Sequence, residues 1–163
     1  MWRVDRVLPA LLLAVTLSVI GSAGYAGDPC SGLLARDAAT LLNAKEKDLE
    51  KTVMKQSVSR LKSRRGMKAS YVCSYSVKDQ VFANITWSEK YFSTDRAAKD
   101  YLNLSRKRKD CMEVGLKGAC RRLVLCQEKA TCRAGTKVVE ILSPTDQNKR
   151  KKLAVLLCNS EGK

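Results

Sequence analysis

There is no histidine in the 163 residues of this chain. General acid–base and nucleophilic catalysis need a group that exchanges a proton near neutral pH, most often an imidazole. Serine–histidine and cysteine–histidine machinery is thereby excluded. No two cysteines stand in Cys-x-x-Cys spacing, and without imidazole nitrogen the sequence offers no zinc-ligand pattern. No Gly-rich phosphate loop or dinucleotide fingerprint occurs, so no cofactor is expected. After residue 20 the chain has no further long apolar run, and no integral membrane span is expected in its body.

Two catalytic patterns survive the loss of histidine, and both have a plainer reading. Ser59-x-x-Lys62 has the spacing of a serine–lysine dyad, but Lys62 lies in a run of positive charge, where its amine stays protonated. Asp95, Asp100, Asp110 and Glu113 could pair as glycosidase carboxylates only by converging on a cleft. Salt bridging to the neighbouring basic run is the simpler use for them.

What is present begins with the N-terminus. Arg3 and Arg6 precede the apolar stretch Val7–Ile20, which is followed by the small residues Gly21–Ala26. That is a tripartite signal peptide, with cleavage expected after Ala26 and after Ala23 as the alternative. Cys30 is not expected to carry a lipid, because Gly27-Asp28-Pro29 lacks the leucine at −3 and the small residue at −1 that usually precede a lipidated cysteine. Residues 27–163 remain as a single domain of 137 residues. They hold 29 basic and 15 acidic side chains, a net charge of +14 against +15 for the whole chain.

The positive charge comes in runs: Arg60, Lys62, Arg64, Arg65 and Lys68; then Arg106, Lys107, Arg108 and Lys109; then Lys149, Arg150, Lys151 and Lys152. Such a balance bears on solubility and partners rather than on fold. The partner expected is an acidic macromolecule: a polysaccharide, an anionic envelope surface or an acidic protein. Tyr91 and Phe92, following Lys90, are the candidates for an exposed stacking surface. Tyr71, Tyr75 and Trp87 read as core. Asn84-Ile-Thr86 and Asn103-Leu-Ser105 match glycosylation acceptors, which matters in a eukaryotic source.

All seven cysteines lie after the cleavage site, in a compartment that permits disulfides. An odd count allows at most three bridges and leaves one thiol. Cys126 and Cys132 flank Lys129 symmetrically, so a hairpin centred there would set them opposite each other. Cys111, Cys120 and Cys158 then compete for a further bridge, with Cys111–Cys120 preferred and Cys158 left as the thiol.

Hydrophobic periodicity outlines the elements. Leu34, Ala38, Leu41 and Leu42 make one face of a helix over 31–43. Leu49, Val53, Val58 and Leu61 share a helical stripe, so 44–65 reads as helix ending at Gly66, although Thr52, Val53 and Val58 are weak helix formers. From Ala69 the period becomes two through Val77 and resumes over Val81–Trp87, a hairpin with one face buried. Ser93 or Thr94 caps a second helix reaching about Lys107. Gly115–Gly118 breaks the chain, a second hairpin spans Arg121–Gln127 and Thr131–Leu142, and Ser143–Asp146 opens a last helix. The order is α-ββ-α-ββ-α, and the expected fold is a two-layer α+β sandwich with an antiparallel sheet of about four strands.

The block Asp28-Pro-Cys-Ser-Gly-Leu-Leu, with Cys73-Ser-Tyr-Ser76 and Val114-Gly-Leu-Lys-Gly-Ala119, resembles a group of small exported bacterial proteins and lipoproteins of unknown function. Their pattern is D-P-C-x-L-L-T-x-x-E-A-x-x-L-L-G, then C-x-Y-S, then G-L-G-D-x-A. This chain departs from it at Gly32, Ala35, Asn43 and Lys117-Gly118. The resemblance implies a helix-backed antiparallel sheet related to the PsbP type, a bridge between Cys30 and Cys73, no known enzymatic activity, and strand or loop rather than helix over 44–65. The function expected is an exported, non-catalytic binding or inhibitory module that presents a basic surface. The alternatives are an envelope-associated structural protein without a specific ligand and, last, a histidine-free hydrolase.

Overall fold

A computed structural model describes residues 29–116, 122–144 and 146–159. The segment expected to be a signal peptide, Cys120 and the side chain of Cys158 lie outside the described residues. The chain runs α1 (Ala35–Leu42), β1 (Leu49–Gln56), α2 (Arg60–Arg64), β2 (Met67–Val77), β3 (Asn84–Phe92), α3 (Asp95–Arg106), β4 (Cys111–Gly115), β5 (Arg122–Cys126), β6 (Ala130–Ala134), β7 (Lys137–Ser143) and α4 (Gln147–Asn159). All seven strands form one antiparallel sheet in the order β1-β2-β3-β7-β6-β5-β4. The first meander, β1 to β3, walks inward from one edge. Helix α3 then crosses the sheet to the far edge, and the second meander, β4 to β7, walks back until β7 pairs with β3.

The expected four-stranded, two-layer sandwich is therefore corrected to seven strands with helices on both faces. Alternating residues of each strand point to opposite sides. One side, with Ile85, Trp87, Leu123, Val139 and Ile141, packs against Leu33, Ala38 and the α4 residues Leu153, Ala154 and Leu157. On the other side, Met67, Phe92 and Val138 receive Ala98 of α3, and Val124 and Cys126 receive Leu102. The central strand β3 is accordingly buried from Trp87 through Phe92 without alternation, so the expectation of one buried face fails there.

Three strands escaped the reading from periodicity, each for a local reason. In 44–65 the structure has β1 and the single turn α2 rather than one long helix. Leu49 and Val53 are four residues apart, which places them on one face of a helix and equally on one face of a strand. The β-branched pair Thr52-Val53 tips the balance to strand. Strand β4 is a short, largely exposed edge with no apolar alternation to read. The run 131–142 is two strands, because Gly135 takes φ +53°, a left-handed value that glycine adopts at little cost, and turns the chain between Ala134 and Lys137.

The β5–β6 turn is also tighter than expected. Cys126 N donates to Lys129 O at 2.8 Å, so only Gln127 and Glu128 form the loop, and Leu123 rather than Cys126 lies opposite Cys132. Cys126 and Cys132 then face opposite sides of the sheet, and the bridge expected between them is overturned. Cys126 instead sits opposite Cys111 on β4, Cα to Cα 4.1 Å, and bonds to it. This also removes the Cys111–Cys120 pairing. Cys132 is buried on the other face among the core residues beneath α4. Cys30 is bridged to Cys73, tying the segment before α1 to β2.

Non-reducing peptide mapping should recover Cys30 with Cys73 and Cys111 with Cys126; a peptide joining Cys126 to Cys132 would refute the β5–β6 register. Replacing Cys111 and Cys126 together by serine opens a loop of 15 residues. The unfolding free energy in urea should drop by about 3 kcal/mol on the loop-entropy model.

Candidate functional site

Helix α3 organises the charged surface. Thr94 Oγ1 accepts from Ala97 N at 3.1 Å, satisfying a first-turn amide, and Asp95 adds a negative charge where the helix dipole favours one. Ala98, Leu102 and Ser105 are the buried stripe at helical spacing, which turns Lys99, Asn103 and Arg106 toward solvent. Beside that outer face lies a cavity of about 400 Å³ lined by Asp95, Lys99, Asn103, Arg106, Arg122 and Arg133, among others.

Carboxylates hold its arginines in place. Glu113 of β4 accepts from Arg106 at 2.7 Å and lies 3.4 Å from Arg122 Nε, so one acid aims two guanidinium groups. Arg106 also reaches Asn103 Oδ1 at 3.4 Å. Arg133 pairs with Asp95 and donates to Gly135 O at 3.2 Å. Four cations thus face two acids, leaving two positive charges in excess around the cavity. Their guanidinium planes are suited to sulfate, phosphate or carboxylate oxygens.

The expected site residues divide. Arg60, Lys62, Arg64 and Arg65 are exposed on and after α2, which packs against β2, and Lys68 is exposed on β2 itself. Arg106 and Lys107 end α3, and from the first run Arg64 and Arg65 line a cavity beside this helix. Arg108 is largely committed elsewhere: Asp110 accepts from its Nε and Nη2, both at 3.0 Å. That pairing raises the guanidinium further and lowers the Asp110 carboxyl. Lys109 is exposed.

The third run sits behind the sheet on α4, where Lys149, Lys151 and Lys152 are exposed. Arg150 does not belong with them. It is 1% exposed and donates to Pro144 O, Cys126 O and Gln127 O at 2.8, 3.0 and 2.9 Å, clamping the β5–β6 turn to the start of α4. Its assignment to polyanion binding is corrected to a structural role. Tyr91 and Phe92 are each 4% exposed and cannot stack on a ligand from outside. Ser59 caps α2, its Oγ accepting from Lys62 N at 3.4 Å, which explains the spacing that resembled a dyad.

Sequence reasoning missed Lys99, Arg122 and Arg133. None stands in a basic run; Arg122 opens a strand whose other four residues are buried and Arg133 lies between buried Cys132 and Ala134, so each is a lone charge beside apolar neighbours.

Beneath α3 lies a buried ionic group. Glu140 of β7 accepts from Lys90, from Lys129 at 2.7 Å and from Tyr101 Oη of α3 at 3.1 Å, and Lys90 also donates to Ser88 Oγ at 2.8 Å. Burial alone would raise the Glu140 carboxyl, but Lys90 and Lys129 overcome it and hold it at about 2. Two lysines share one carboxylate, so Lys90 is undercompensated: burial lowers its ammonium, Glu140 opposes the shift, and Lys129 and Lys62 add to it. Burial and the same carboxylate push the Tyr101 phenol up. Asp110, Cys111 and Cys126 form a cluster of potential metal ligands. Both of its sulfurs are spent in the disulfide.

No family model, curated protein or solved structure matches this chain. Among the described residues no helix is long and apolar enough to cross a membrane. The two disulfides accord with an oxidising, non-cytoplasmic environment.

The folded Glu140 carboxyl lies below its unfolded value, so its contribution is complete above about pH 4.5 and is lost as pH falls toward 2. Urea titrations should show a loss of about 3 kcal/mol across that window. Glu140→Gln should flatten this loss and cost about 3–5 kcal/mol at neutral pH, since Lys90 is left buried without its counter-charge. An undiminished acid loss in the variant would exclude Glu140 as its origin. Arg150→Gln should cost about 3 kcal/mol, whereas Lys151→Gln on the same helix should stay within about 0.5 kcal/mol; equal effects would return Arg150 to the solvent-exposed run.

Proposed function

We propose that this chain is an exported, non-catalytic module that binds acidic macromolecules, polysaccharides foremost, across the outer face of α3 and the neighbouring β5 and β6. The observation that carries the reading is the cavity beside α3, where Lys99, Arg106, Arg122 and Arg133 outnumber Asp95 and Glu113. Arginines already fixed by carboxylates lose little side-chain freedom when they take up a sulfate or carboxylate. Each anionic group that docks releases counterions, which supplies the driving force and makes the affinity fall with salt. Lys107, at the end of α3, extends the positive field beyond the cavity, so a chain-like anion can be held along its length.

Export is supported by the tripartite N-terminus and by two disulfides, which persist in an oxidising compartment. A non-catalytic role is supported by the lack of histidine and by the nature of the other reactive-looking groups. Ser88 and Lys90 are buried beneath α3, with Lys90 engaged by Glu140.

Two triple variants separate a built site from bulk charge. Arg106→Gln with Arg122→Gln and Arg133→Gln removes three charges from the cavity; Lys149→Gln with Lys151→Gln and Lys152→Gln removes three from the opposite face. On immobilised heparin at 100 mM salt, the first set should weaken binding by about tenfold or more, and the second by no more than about threefold, the scale of screened surface charge. Equal losses would reduce the interaction to net charge and overturn the assignment to the α3 face.

A further inference from the structure

The opposite flank of α3 holds a second cavity, of about 490 Å³, between this helix and the end of α2. It differs in kind from the first. Phe92, Ala97, Tyr101 and Leu104 give it an apolar lining, with the Phe92 and Tyr101 ring centroids 5.3 Å apart. The Tyr101 hydroxyl is used by Glu140 at 3.1 Å, so the residue offers its ring rather than its phenol. Leu104 is 51% exposed, an apolar side chain at the rim rather than in the core.

Arg64, Arg65 and Arg96 stand around this lining, with Asp100 as the one acid. Among the described residues none of these three arginines forms an ion pair. The contrast with the carboxylate-held arginines of the first cavity is direct. Gly66 sets one wall: at φ +84°, a Cβ there would lie 2.9 Å from Ala97 Cβ and 2.9 Å from Ser93 Oγ, so α2 meets α3 with no room to spare.

We infer that this cleft is a separate site for a small amphiphilic anion, a molecule with an alkyl or aryl body and one carboxylate, sulfonate or phosphate. An apolar pocket with a few charged groups at its mouth, within the usual 300–1,000 Å³, is the form such sites take. The hydrocarbon rests on Tyr101 and Leu104, above the buried Phe92 ring, and the anion meets unneutralised guanidinium groups at the rim. A polysaccharide has no apolar body to fill this lining, and inorganic anions would leave it empty. The site stands independently of polyanion binding at the other flank.

The probe is 1-anilinonaphthalene-8-sulfonate, titrated into the full folded chain and followed by fluorescence. One saturable site is expected, displaced by octanoate and left in place by inorganic sulfate and by heparin. Leu104→Asp and Arg96→Glu alter exposed positions and should each weaken the probe by at least about tenfold. Their urea midpoints and heparin affinity, measured alongside, report on folding and on the first cavity. Non-saturable fluorescence, unchanged affinity in both variants with wild-type midpoints, or displacement by 1-octanol as effective as by octanoate would each overturn the site. Retention on vesicles containing anionic lipid, without a saturable probe or octanoate site in solution, would assign the patch to a membrane surface and overturn it equally.

Discussion

The pairing of β3 with β7 is the seam from which both faces of the protein hang. These strands are some fifty residues apart, yet their register is specified twice. On one face Glu89 lies 3.6 Å from Lys137; on the other Lys90 meets Glu140. Both pairs are diagonal across the register in which Glu89 lies opposite Val139 and Lys90 opposite Val138. A slip by one residue would turn every side chain of a strand to the other face and leave four buried charges without partners. Buried ion pairs add little net stability over apolar residues of the same size. Their effect here is to penalise the wrong register.

Each carboxylate of the seam also holds a covering element. Glu89 accepts from Cys30 N at 3.1 Å, from Trp87 Nε1 at 3.2 Å and from Tyr91, so the segment before α1 is fastened to the centre of the sheet next to the Cys30–Cys73 bridge. Glu140 accepts from Tyr101, which fastens α3 to the other face. The position of α3 fixes where Arg96, Lys99 and Arg106 project, and hence where both cavities open. The charged face of α3 is thus tied to the seam through one tyrosine.

What the sequence disclosed follows this division. The α1 stripe, the strand over 69–77 and the α3 cap at Thr94 are local patterns, and each stands within a few residues of the structure. The edge strands β1 and β4 are exposed on both sides, so no apolar alternation marks them. Phase was lost wherever a turn was misjudged. Val81 and Phe82 lie 85% and 96% exposed in the β2–β3 connection rather than in a strand. Centring the second hairpin on Lys129 rather than on Gln127-Glu128 exchanged the faces of the cysteines. The burial of Lys90, Glu89 and Glu140 was invisible for a different reason: a charged residue inside a strand looks solvated until its partner on a distant strand is known.

The distribution of positive charge completes the argument. A run of basic residues in the sequence is not a patch on the surface, as Arg150 and Arg108 demonstrate by being spent on carbonyls and on Asp110. The cations that converge come instead from four separate elements, α2, α3, β5 and β6, brought to one side by the parity of the strands and the placement of α3. Around the first cavity they are neutralised in part by Glu113 and Asp95, which fixes their orientation at the expense of field strength. Around the second, Arg64, Arg65 and Arg96 keep their full charge beside an apolar floor. A folded protein that bears unpaired cations next to exposed hydrocarbon carries both a desolvation liability and a self-repulsion. A ligand with an anionic head and an apolar body relieves both at once, and neither a salt ion nor a sugar polymer does so.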